Sequence, residues 1–509
     1  MACHGADLRH TRPTQLGSAV NMVLPEHRDE ISRQLAKEIE LGWLTTTPPF
    51  QGACKTRNAP IFAKEEPGKL RRITDYSDKA SDGTLRGPNG YVDKDTLGDA
   101  PMDRPLRLAK AVRTLTKRDG APPLLLVRDI SKAYRRIAVR TEDIPHLHTV
   151  WQGQHMWDTR LPFGHAAAAH HCCKLTAAIA AAFTKYMCGR AIALAYVDDF
   201  IVVCGRQHTQ EAEALLHRML DDVGMPITPE KAAAAGTWNT SADWIGYRHD
   251  TVRGTHALKP DKVPELKALI GDTLSERRVP ARRLKRLVGK LNHVANIHHP
   301  ARAHMQALVR SCRANKPTVL DRDACDDLKW WSHALETMPN EAKMAETPNG
   351  RSLCIATDAS LSGIGAVLHA TRRSARSAAA PLDALAAPFT QRHEPRDMML
   401  LEAAALYASI AHWAPRLAGS VVWLQLDNQA LVWAMRRGRS KCRRSNDVLK
   451  HIFAITVRHR LQVVPFHVKS EDNGQADALS RQWEPCPSTC ALDHTTPTTA
   501  SWKLQNWQL

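Results

Sequence analysis

The stretch that decides the fold of the first part of the chain is "AIALAYVDDFIVVC", residues 191–204. Two runs of apolar and β-branched residues flank an acidic pair, Asp198 and Asp199. Apolar arms around a short polar centre predict a β-hairpin with the acidic pair at its tight turn. Because ionised carboxylates in apolar surroundings are destabilising when unpaired, this pair requires partners from elsewhere in the chain.

A third carboxylate, Asp129, lies upstream at the end of another apolar strand signal, in "LLLVRDISKAYRRIAV". If the strands are neighbours in one sheet, Asp129 meets Asp198 and Asp199 at the same edge. Three carboxylates that close cannot all ionise unless cations separate them. Two Mg²⁺ ions meet that need and suit in-line attack of a hydroxyl on phosphorus. A Tyr-x-Asp-Asp string by itself also arises by chance.

The length and charge of the chain indicate several domains and a polyanionic partner. With 509 residues, the chain is too long for one compact domain, and we expect roughly two to four. The 70 Lys and Arg exceed the 52 Asp and Glu, for a formal charge of +18. Such an excess favours nucleic acid as a partner, although a merely basic protein is the alternative. A polar, proline-containing region at 311–350 predicts a connection between two bodies of mixed helices and strands.

The sequence carries no signal for export or for a membrane span. Its start, "MACHGADLRHTRPTQ", has no apolar core, and no apolar run is long enough to cross a bilayer. Twelve cysteines without framework spacing fit reduced thiols, so we expect an intracellular protein, cytoplasmic or nuclear. "HHCC" at 170–173 cannot converge on one ion in a helix, and Cys486, Cys490 and His494 form a zinc pattern of low specificity.

A second set of carboxylates follows the connection. Asp358 ends a strand signal, Glu402 lies within the apolar-periodic helix "MMLLEAAALYA", and Asp477 begins a last helix in "ADALSR". Asp427 ends the strand "LQLD" directly before a helix, whose N-terminal dipole favours a carboxylate. Each string is weak singly, and a lone glutamate on such a helix is usually a surface residue. A long loop is predicted at 371–388, which is rich in Ala, Ser and Arg.

Over residues 20–310 the sequence resembles reverse transcriptases. In the order of that family it contains "PIFAKEEPGKLRRITDYS" (fingers), "DISKAY" (palm), "LPFG" (template grip), "YVDD" (signature turn), "MPITPEK" (palm), "WIGY" (primer grip) and "LKRLVGKLNH" (thumb). The resemblance implies that Asp129 and Asp198 hold two metal ions and that Asp199 supports the site. It also implies that Lys231 protonates the departing pyrophosphate, although most single lysines are solvated surface residues.

The same resemblance implies a nucleotide site. Lys64 and Arg71 match the fingers residues that clasp the incoming triphosphate, and Tyr134 matches the aromatic steric gate that selects deoxynucleotides. A tyrosine taken singly is more often a core residue. Phe163 and Gly164 belong to the template-grip motif. After Gly164 the family usually continues with a small residue and proline, whereas this chain reads "HAAAAHHCC".

The later acids resemble those of the RNase H domain that follows reverse transcriptase in retroelements. Asp358, Glu402, Asp427 and Asp477 match its four metal-binding acids. His467 matches its mobile-loop histidine, which is thought to help protons or product leave; a loop histidine without a role is the alternative. "NxxADALSR" is similar to retrotransposon polyproteins, and the "DYSDK" stretch with the "ADALSR…W" ending resembles DIRS-like or Gypsy-like elements.

The resemblance implies an α+β fold: a right-hand polymerase with fingers, an RRM-like palm and a thumb, then an RNase H-like α/β domain. The expected boundaries are an N-terminal extension (1–19), fingers and palm (20–250), thumb and connection (251–349), the RNase H-like domain (350–482) and a flexible tail (483–509).

The implied function is RNA-directed DNA synthesis with cleavage of the RNA in RNA–DNA hybrids. The partners are an RNA template, a DNA primer, the hybrid and dNTPs, and each site takes two Mg²⁺, with Mn²⁺ as a possible substitute. Basic runs in "ARRLKRLVGKLNH" and "RRGRSKCRRS" could track phosphates or be solvated helix faces. One alternative is a decayed or host-adopted copy that only binds nucleic acid, and another is a chain with one active domain.

Overall fold

The computed structural model describes residues 6–8, 20–48, 58–66, 68–79, 87–227, 233, 237–297, 299–313, 316–337, 341–344, 352–372, 380–389 and 394–483. The chain divides into two compact units, Met1–Thr255 and His256–Leu509. Helices and strands alternate in both units, which confirms the predicted mixed fold. Among the described residues, no helix combines the length and apolar character needed to cross a membrane.

The first unit contains both short and long elements. Its α-helices are α1 (Arg28–Glu40), α2 (Lys94–Leu97), α3 (Pro105–Asp119), α4 (Ala168–Tyr186) and α5 (Thr209–Asp222). Its strands are β1 (Leu44–Thr45), β2 (Ile61–Glu66), β3 (Lys69–Thr74), β4 (Leu124–Asp129), β5 (His148–Trp151), β6 (Gln154–Asp158), β7 (Ala191–Tyr196), β8 (Asp199–Cys204), β9 (Ser241–Trp244) and β10 (Tyr247–Asp250). Strand β11 (Thr255–Leu258) lies at the division.

The predicted hairpin is confirmed in the first unit. Strands β7 and β8 pair antiparallel, and β4 pairs with the other edge of β8, in the order β4-β8-β7. Strand β8 is buried from Phe200 to Cys204, which is why its sequence is continuously apolar rather than alternating. The alanine-rich helix α4 packs on β7 and α5 and buries the sheet.

The first unit contains two further groups of strands. Strands β2 and β3 form a hairpin, and β1, β6 and β5 form a three-stranded sheet. Helix α1 buries Ile31 and Leu35 in a cluster with Ile61, Trp151 and Met156. The apolar periodicity of α1 therefore predicts its buried face correctly.

Helix α3 is absent from the sequence prediction, although its signals are present. Pro105 occupies the first helical turn, and Gly120 ends the helix in a left-handed conformation with φ 68°. Leu108, Val112 and Leu115 recur at helical spacing and are buried. These three signals together identify a helix.

The second unit begins with helices and continues into a sheet. Its helices are α6 (Lys262–Ser275), α7 (Ala281–Val294), α8 (Gln306–Cys312), α9 (Arg322–Thr337), α10 (Met398–Leu417), α11 (Gln429–Arg437), α12 (Arg443–Arg458) and α13 (Gly474–Arg481). Its strands are β12 (Glu341–Lys343), β13 (Ser352–Ala359), β14 (Gly363–His369), β15 (Asp383–Pro388), β16 (Val421–Leu426) and β17 (Gln462–His467).

The sheet of the second unit is mixed. Its order is β15-β14-β13-β16-β17, with β13, β14 and β15 antiparallel and β16 and β17 parallel to β13. Helices α10 and α12 pack together over a core that includes Leu353, Leu406, Trp413, Leu424 and Ile452. Helix α13 packs against β13 and β14.

The predicted loop at 371–388 is wrong over part of its length. Asp383–Pro388 form strand β15, paired with β14 in the register Gly363↔Pro388 to Leu368↔Asp383. The sequence of this strand, "DALAAP", is rich in alanine, which has low intrinsic β propensity. Pairing with a neighbouring strand, rather than local preference, creates this element.

Candidate active sites

The first site is a group of three carboxylates at the edge of the β4-β8-β7 sheet. Asp129 is the last residue of β4 and pairs with Asp199, the first residue of β8. The carboxylate oxygens of Asp129, Asp198 and Asp199 lie within 4.8 Å of one another, and all three side chains are partly exposed. The structure thus brings together residues that the sequence placed on separate strands.

The turn between β7 and β8 lies one residue earlier than the sequence predicted. Since Tyr196 pairs with Asp199, the two turn residues are Val197 and Asp198, and Asp199 already belongs to the strand. Val197 has φ 56°, in the left-handed region that β-branched residues rarely occupy. The backbone that presents Asp198 is therefore strained.

Neighbouring elements hold this strained turn. Cys172 on α4 donates a hydrogen bond from Sγ to the carbonyl of Val197 at 3.8 Å, and the amide of Ile130 donates to the carbonyl of Asp198 at 3.0 Å. Burial raises the pKa of the Cys172 thiol to about 12, so the thiol keeps its proton. The unusual "HHCC" segment thus packs beneath the acid cluster.

Two aromatic rings lie beside the acid cluster. Tyr134 is half-buried in the turn Ala133–Arg136, and its ring meets Phe163 edge to face with centroids 4.9 Å apart. Phe163 is 55% exposed, which is unusual for a large apolar side chain. Burial, with a smaller effect of Asp198, raises the pKa of the Tyr134 hydroxyl, which remains protonated. The pair offers an apolar wall to a ligand at the carboxylates.

The predicted triphosphate ligands lie on the β2–β3 hairpin rather than in the carboxylate group. Lys64 and Arg71 are cross-strand partners, and both side chains are exposed. Each contacts Glu66, with Lys64 Nζ 3.0 Å from Oε1 and Arg71 Nε 2.5 Å from Oε2. The hydrogen bond from Lys64 lowers the pKa of Glu66. Sequence reasoning missed Glu66, although its spacing from Lys64 places both on one face of a strand.

The predicted proton donor and the residues of the zinc pattern lie outside the described residues. These are Lys231, Cys486, Cys490 and His494.

The second site is a group of three carboxylates in the second unit. Asp358 lies near the end of β13, Asp427 directly follows β16, and Glu402 projects from α10. Their carboxylate oxygens lie within 4.8 Å of one another. Asp358 and Glu402 are each 4% exposed, so two of these acids are removed from solvent.

Burial and mutual repulsion disfavour ionisation of this group. Burial, then the charges of Asp358 and Asp427, raise the pKa of Glu402 to about 9. Burial also raises the pKa of Asp358 to about 6, against a lowering by the hydrogen bond from Ser480. Within the described part of the chain, Asp427 Oδ1 is buried and accepts no hydrogen bond. Hard oxygen ligands with an unpartnered oxygen fit a divalent cation.

Asp477 lies beside this group but is not a member of it. It sits on α13, and Arg481 Nε donates to its Oδ1 at 2.7 Å. Its charge helps to raise the pKa of Asp358, so the two carboxylates are near enough to interact. Of the four predicted acids, three converge and the fourth is paired with an arginine.

A serine that sequence reasoning missed ties α13 to the group. Ser480 Oγ donates to Asp358 Oδ2 at 2.5 Å. This contact requires α13 to approach β14 at Gly365, where a Cβ would stand 2.1 Å from the carbonyl oxygen of Ala476. Ser480 follows Asp477 by three residues and therefore lies on the same helix face. This spacing is the sequence signal that places Ser480 toward the carboxylate group.

His467 lies at the end of a strand. It is the last residue of β17, and its Nε2 lies 3.0 Å from the backbone carbonyl of Asp427. Ser470 Oγ donates to Asp427 Oδ2 at 3.0 Å. The exposed His467 ring is therefore adjacent to the segment that carries one member of the carboxylate group.

Comparison with protein families gives a match in the second unit. The RNase H-like domain found in reverse transcriptase matches residues 349–452. The predicted resemblance to the RNase H domain that follows reverse transcriptase is confirmed. The match includes Asp358, Glu402 and Asp427, and it ends before His467 and Asp477.

Solved structures with similarity to this chain include foamy viral proteins. The foamy viral protease–reverse transcriptase in complex with dsDNA is 14% identical, with 92% of this chain and 89% of that chain covered at a TM-score of 0.47. The same viral protein in complex with RNA/DNA hybrid is 15% identical, with 98% of this chain and 59% of that chain covered at a TM-score of 0.48. This chain thus spans less than two thirds of the latter. A comparison with curated proteins gives no match.

In the RNase H-like domain, the three converging carboxylates come from the centre of the sheet and the helix that covers it. Asp358 lies on the central strand β13, which pairs on one side with β14 and on the other with β16. Glu402 lies on α10, whose neighbours Leu401 and Ala403 are buried in the core. The positions of Asp358 and Glu402 are therefore set by elements packed in the core of the domain.

Proposed function

We propose that this chain is the RNA-directed DNA polymerase of a DIRS-like or Gypsy-like retrotransposon, linked to an RNase H that cleaves RNA–DNA hybrids. The observation that carries the proposal is the presence of one group of three converging carboxylates in each unit. The proposed domains are 20–250 for fingers and palm, 251–349 for thumb and connection, and 350–482 for RNase H, between an extension (1–19) and a tail (483–509).

In the polymerase, Asp129 and Asp198 would hold two Mg²⁺ ions, or Mn²⁺, with Asp199 in support. The bound ions supply Lewis-acid stabilisation of charge on the reacting phosphate. The chain itself positions the carboxylates by strand pairing and by the turn at Val197. The rings of Tyr134 and Phe163 would give the site one apolar side.

The fingers hairpin would bind the triphosphate of the incoming dNTP. Lys64 and Arg71 lie on adjacent strands, and their positively charged side chains are exposed to solvent. Both must leave Glu66 to bind phosphate, so this carboxylate competes with the nucleotide. Tyr134 would select against a ribose 2′-hydroxyl, and Lys231 would protonate the leaving pyrophosphate.

In the nuclease, Asp358, Glu402, Asp427 and Asp477 would hold the Mg²⁺ ions, and His467 would assist proton transfer or product release. Ser480 orients one oxygen of Asp358, and Ser470 orients one oxygen of Asp427. The hybrid is a polyanion, and the formal charge of +18 supports its binding without sequence preference.

Separate variants of the two carboxylate groups test the proposal. The wild-type protein, Asp198→Asn and Asp427→Asn are each given a primed RNA template, dNTPs and Mg²⁺. We expect Asp198→Asn to abolish primer extension and retain hybrid cleavage, and Asp427→Asn to show the reverse. Omission of Mg²⁺ should abolish both activities.

The same experiment distinguishes the alternatives. Nucleic-acid binding by the wild type without extension or cleavage would contradict the enzyme proposal and support a decayed or host-adopted copy. Cleavage without extension would leave the nuclease as the one active domain, consistent with the altered segment after Gly164.

A further inference from the structure

Asn89 is a buried side chain that joins two segments of the first unit. It lies in the turn Pro88–Gly90 and is 6% exposed. Its Nδ2 donates to the carbonyl of Gly164 at 2.8 Å, and its Oδ1 accepts from the amide of Ala166 at 2.7 Å. Its Nδ2 also lies 2.8 Å from Ser77 Oγ. The side-chain amide of Asn89 thus binds the backbone groups on both sides of His165.

The loop that Asn89 holds carries Phe163. Gly164 has φ 92°, and a Cβ at this position would stand 3.1 Å from the carbonyl oxygen of Thr74. The loop is therefore tightly turned and closely packed against the end of β3. Because Phe163 immediately precedes this turn, the position of its ring against Tyr134 depends on how the turn is held.

The segment that carries the other ring is held from the same side. Tyr76 donates a hydrogen bond from its hydroxyl to Asp158 Oδ2 at 2.5 Å, and Asp158 pairs with the buried Arg135, the neighbour of Tyr134. The backbone N–H of Asn89 donates to the carbonyl of Tyr76 at 2.9 Å. Tyr76 thus links Asn89, through Asp158 and Arg135, to the segment that carries Tyr134.

We propose that Asn89 is a positioning residue that sets the gap between Phe163 and Tyr134 and thereby controls the selection of the nucleotide sugar. The inference rests on the proposed polymerase function. Loss of the hydrogen bond to Gly164 or to Ala166 lets the loop after Phe163 move. The distance between the rings of Phe163 and Tyr134 is then no longer fixed. Discrimination between two sugars depends on such contacts, because the substrates differ by one hydroxyl group.

Asn446 in the second unit offers a matched control. It is 3% exposed, its Nδ2 donates to the carbonyl of Ala303 at 2.9 Å, and its Oδ1 accepts from the amide of Ser440 at 3.0 Å. Asn89→Ala and Asn446→Ala therefore remove the same kind of buried bridge between backbone groups, and only the first touches the aromatic pair.

The test measures extension with dCTP and with CTP on a primed RNA template. For Asn89→Ala we expect the KM for dCTP to rise about tenfold and the preference for dCTP over CTP to fall about tenfold, with kcat for dCTP and hybrid cleavage changed less than about twofold. Asn446→Ala should leave the KM and the sugar preference unchanged. Asn89→Asp keeps the acceptor for Ala166 but places a carboxylate oxygen against the carbonyl of Gly164, so it should lower the sugar preference at least as far as Asn89→Ala.

Hydrogen exchange of the peptide 161–167 provides a readout that needs no activity. Exchange should be faster in Asn89→Ala than in wild type and unchanged in Asn446→Ala. An unchanged KM and sugar preference in Asn89→Ala, or equal changes in both alanine variants, would overturn the positioning role. If the wild type extends no primer, the polymerase proposal fails, and unchanged exchange in Asn89→Ala would then overturn the Asn89 contacts separately.

Discussion

At the scale of single residues, Glu402 links the stability of the second unit to pH. Its pKa in the folded protein, about 9, lies above its ordinary value, and that of Asp358 is raised to about 6. A raised pKa means that the folded state binds protons more tightly than the unfolded state. This stabilisation is complete at acidic pH and is lost as the pH rises through the folded pKa.

We therefore expect the melting temperature of the metal-free protein to fall between about pH 5 and pH 9. The fall should be about 5 °C for the transition of the second unit, measured by calorimetry in EDTA. Glu402→Gln should remove most of this dependence. Glu336→Gln is the control, because Glu336 is exposed and lies in an ion pair with Lys267. A pH-independent melting temperature in wild type would contradict the burial of charge at this site.

Single residues also show what the sequence could and could not predict. The carboxylates of both groups are predictable because each ends or follows an apolar strand or lies on an apolar helix. Asn89 is not, because its partners Gly164 and Ala166 are brought near it only by the fold. A polar residue whose partner is distant in sequence has no local signal.

At the scale of elements, the packing of α13 against β14 depends on a residue without a side chain. A Cβ at Gly365 would overlap the backbone of α13. Gly365→Ala should therefore displace the helix and lower the free energy of unfolding by about 1–3 kcal/mol. It should also weaken hybrid cleavage, because the displaced helix carries Ser480 away from Asp358. Primer extension should be retained.

Gly271→Ala is the matched control for this prediction. Gly271 lies inside α6, and a Cβ there meets no atom within 4 Å. Alanine in a helix interior should stabilise the protein by about 0.5–1 kcal/mol. Chemical denaturation measures both variants, and equal effects would contradict the packing argument.

Elements also differ in how far their sequences specify them. Strand β8 has a strong local pattern and is predicted, and the apolar periodicity of helix α1 indicates its buried face. Strand β15 is alanine-rich and exists because β14 offers an edge to pair with. Its formation is a tertiary effect that a local pattern does not contain.

At the scale of the whole molecule, one buried ion pair joins the helical part of the second unit to the RNase H-like domain. Asp327 on α9 is buried and accepts a hydrogen bond from Lys450 Nζ on α12 at 2.8 Å. Lys450→Ala leaves the Asp327 carboxylate buried without this cation and should lower the stability of the unit by about 3 kcal/mol.

Lys267→Ala provides the comparison for this ion pair. Lys267 and Glu336 are both exposed, with Nζ 2.7 Å from Oε1. Loss of that surface pair should change the stability by less than about 1 kcal/mol. Similar unfolding curves for the two alanine variants would show that the buried pair is not a structural link.

The position of the carboxylates along the chain has a consequence for synthesis on the ribosome. The first group is complete once Asp199 has been made, whereas the second needs Asp427, and its supporting Ser480 comes near the end of α13. Domains generally fold in the order in which they emerge. A chain released early, between the two units, thus carries the first carboxylate group without the second, and premature termination never yields the reverse.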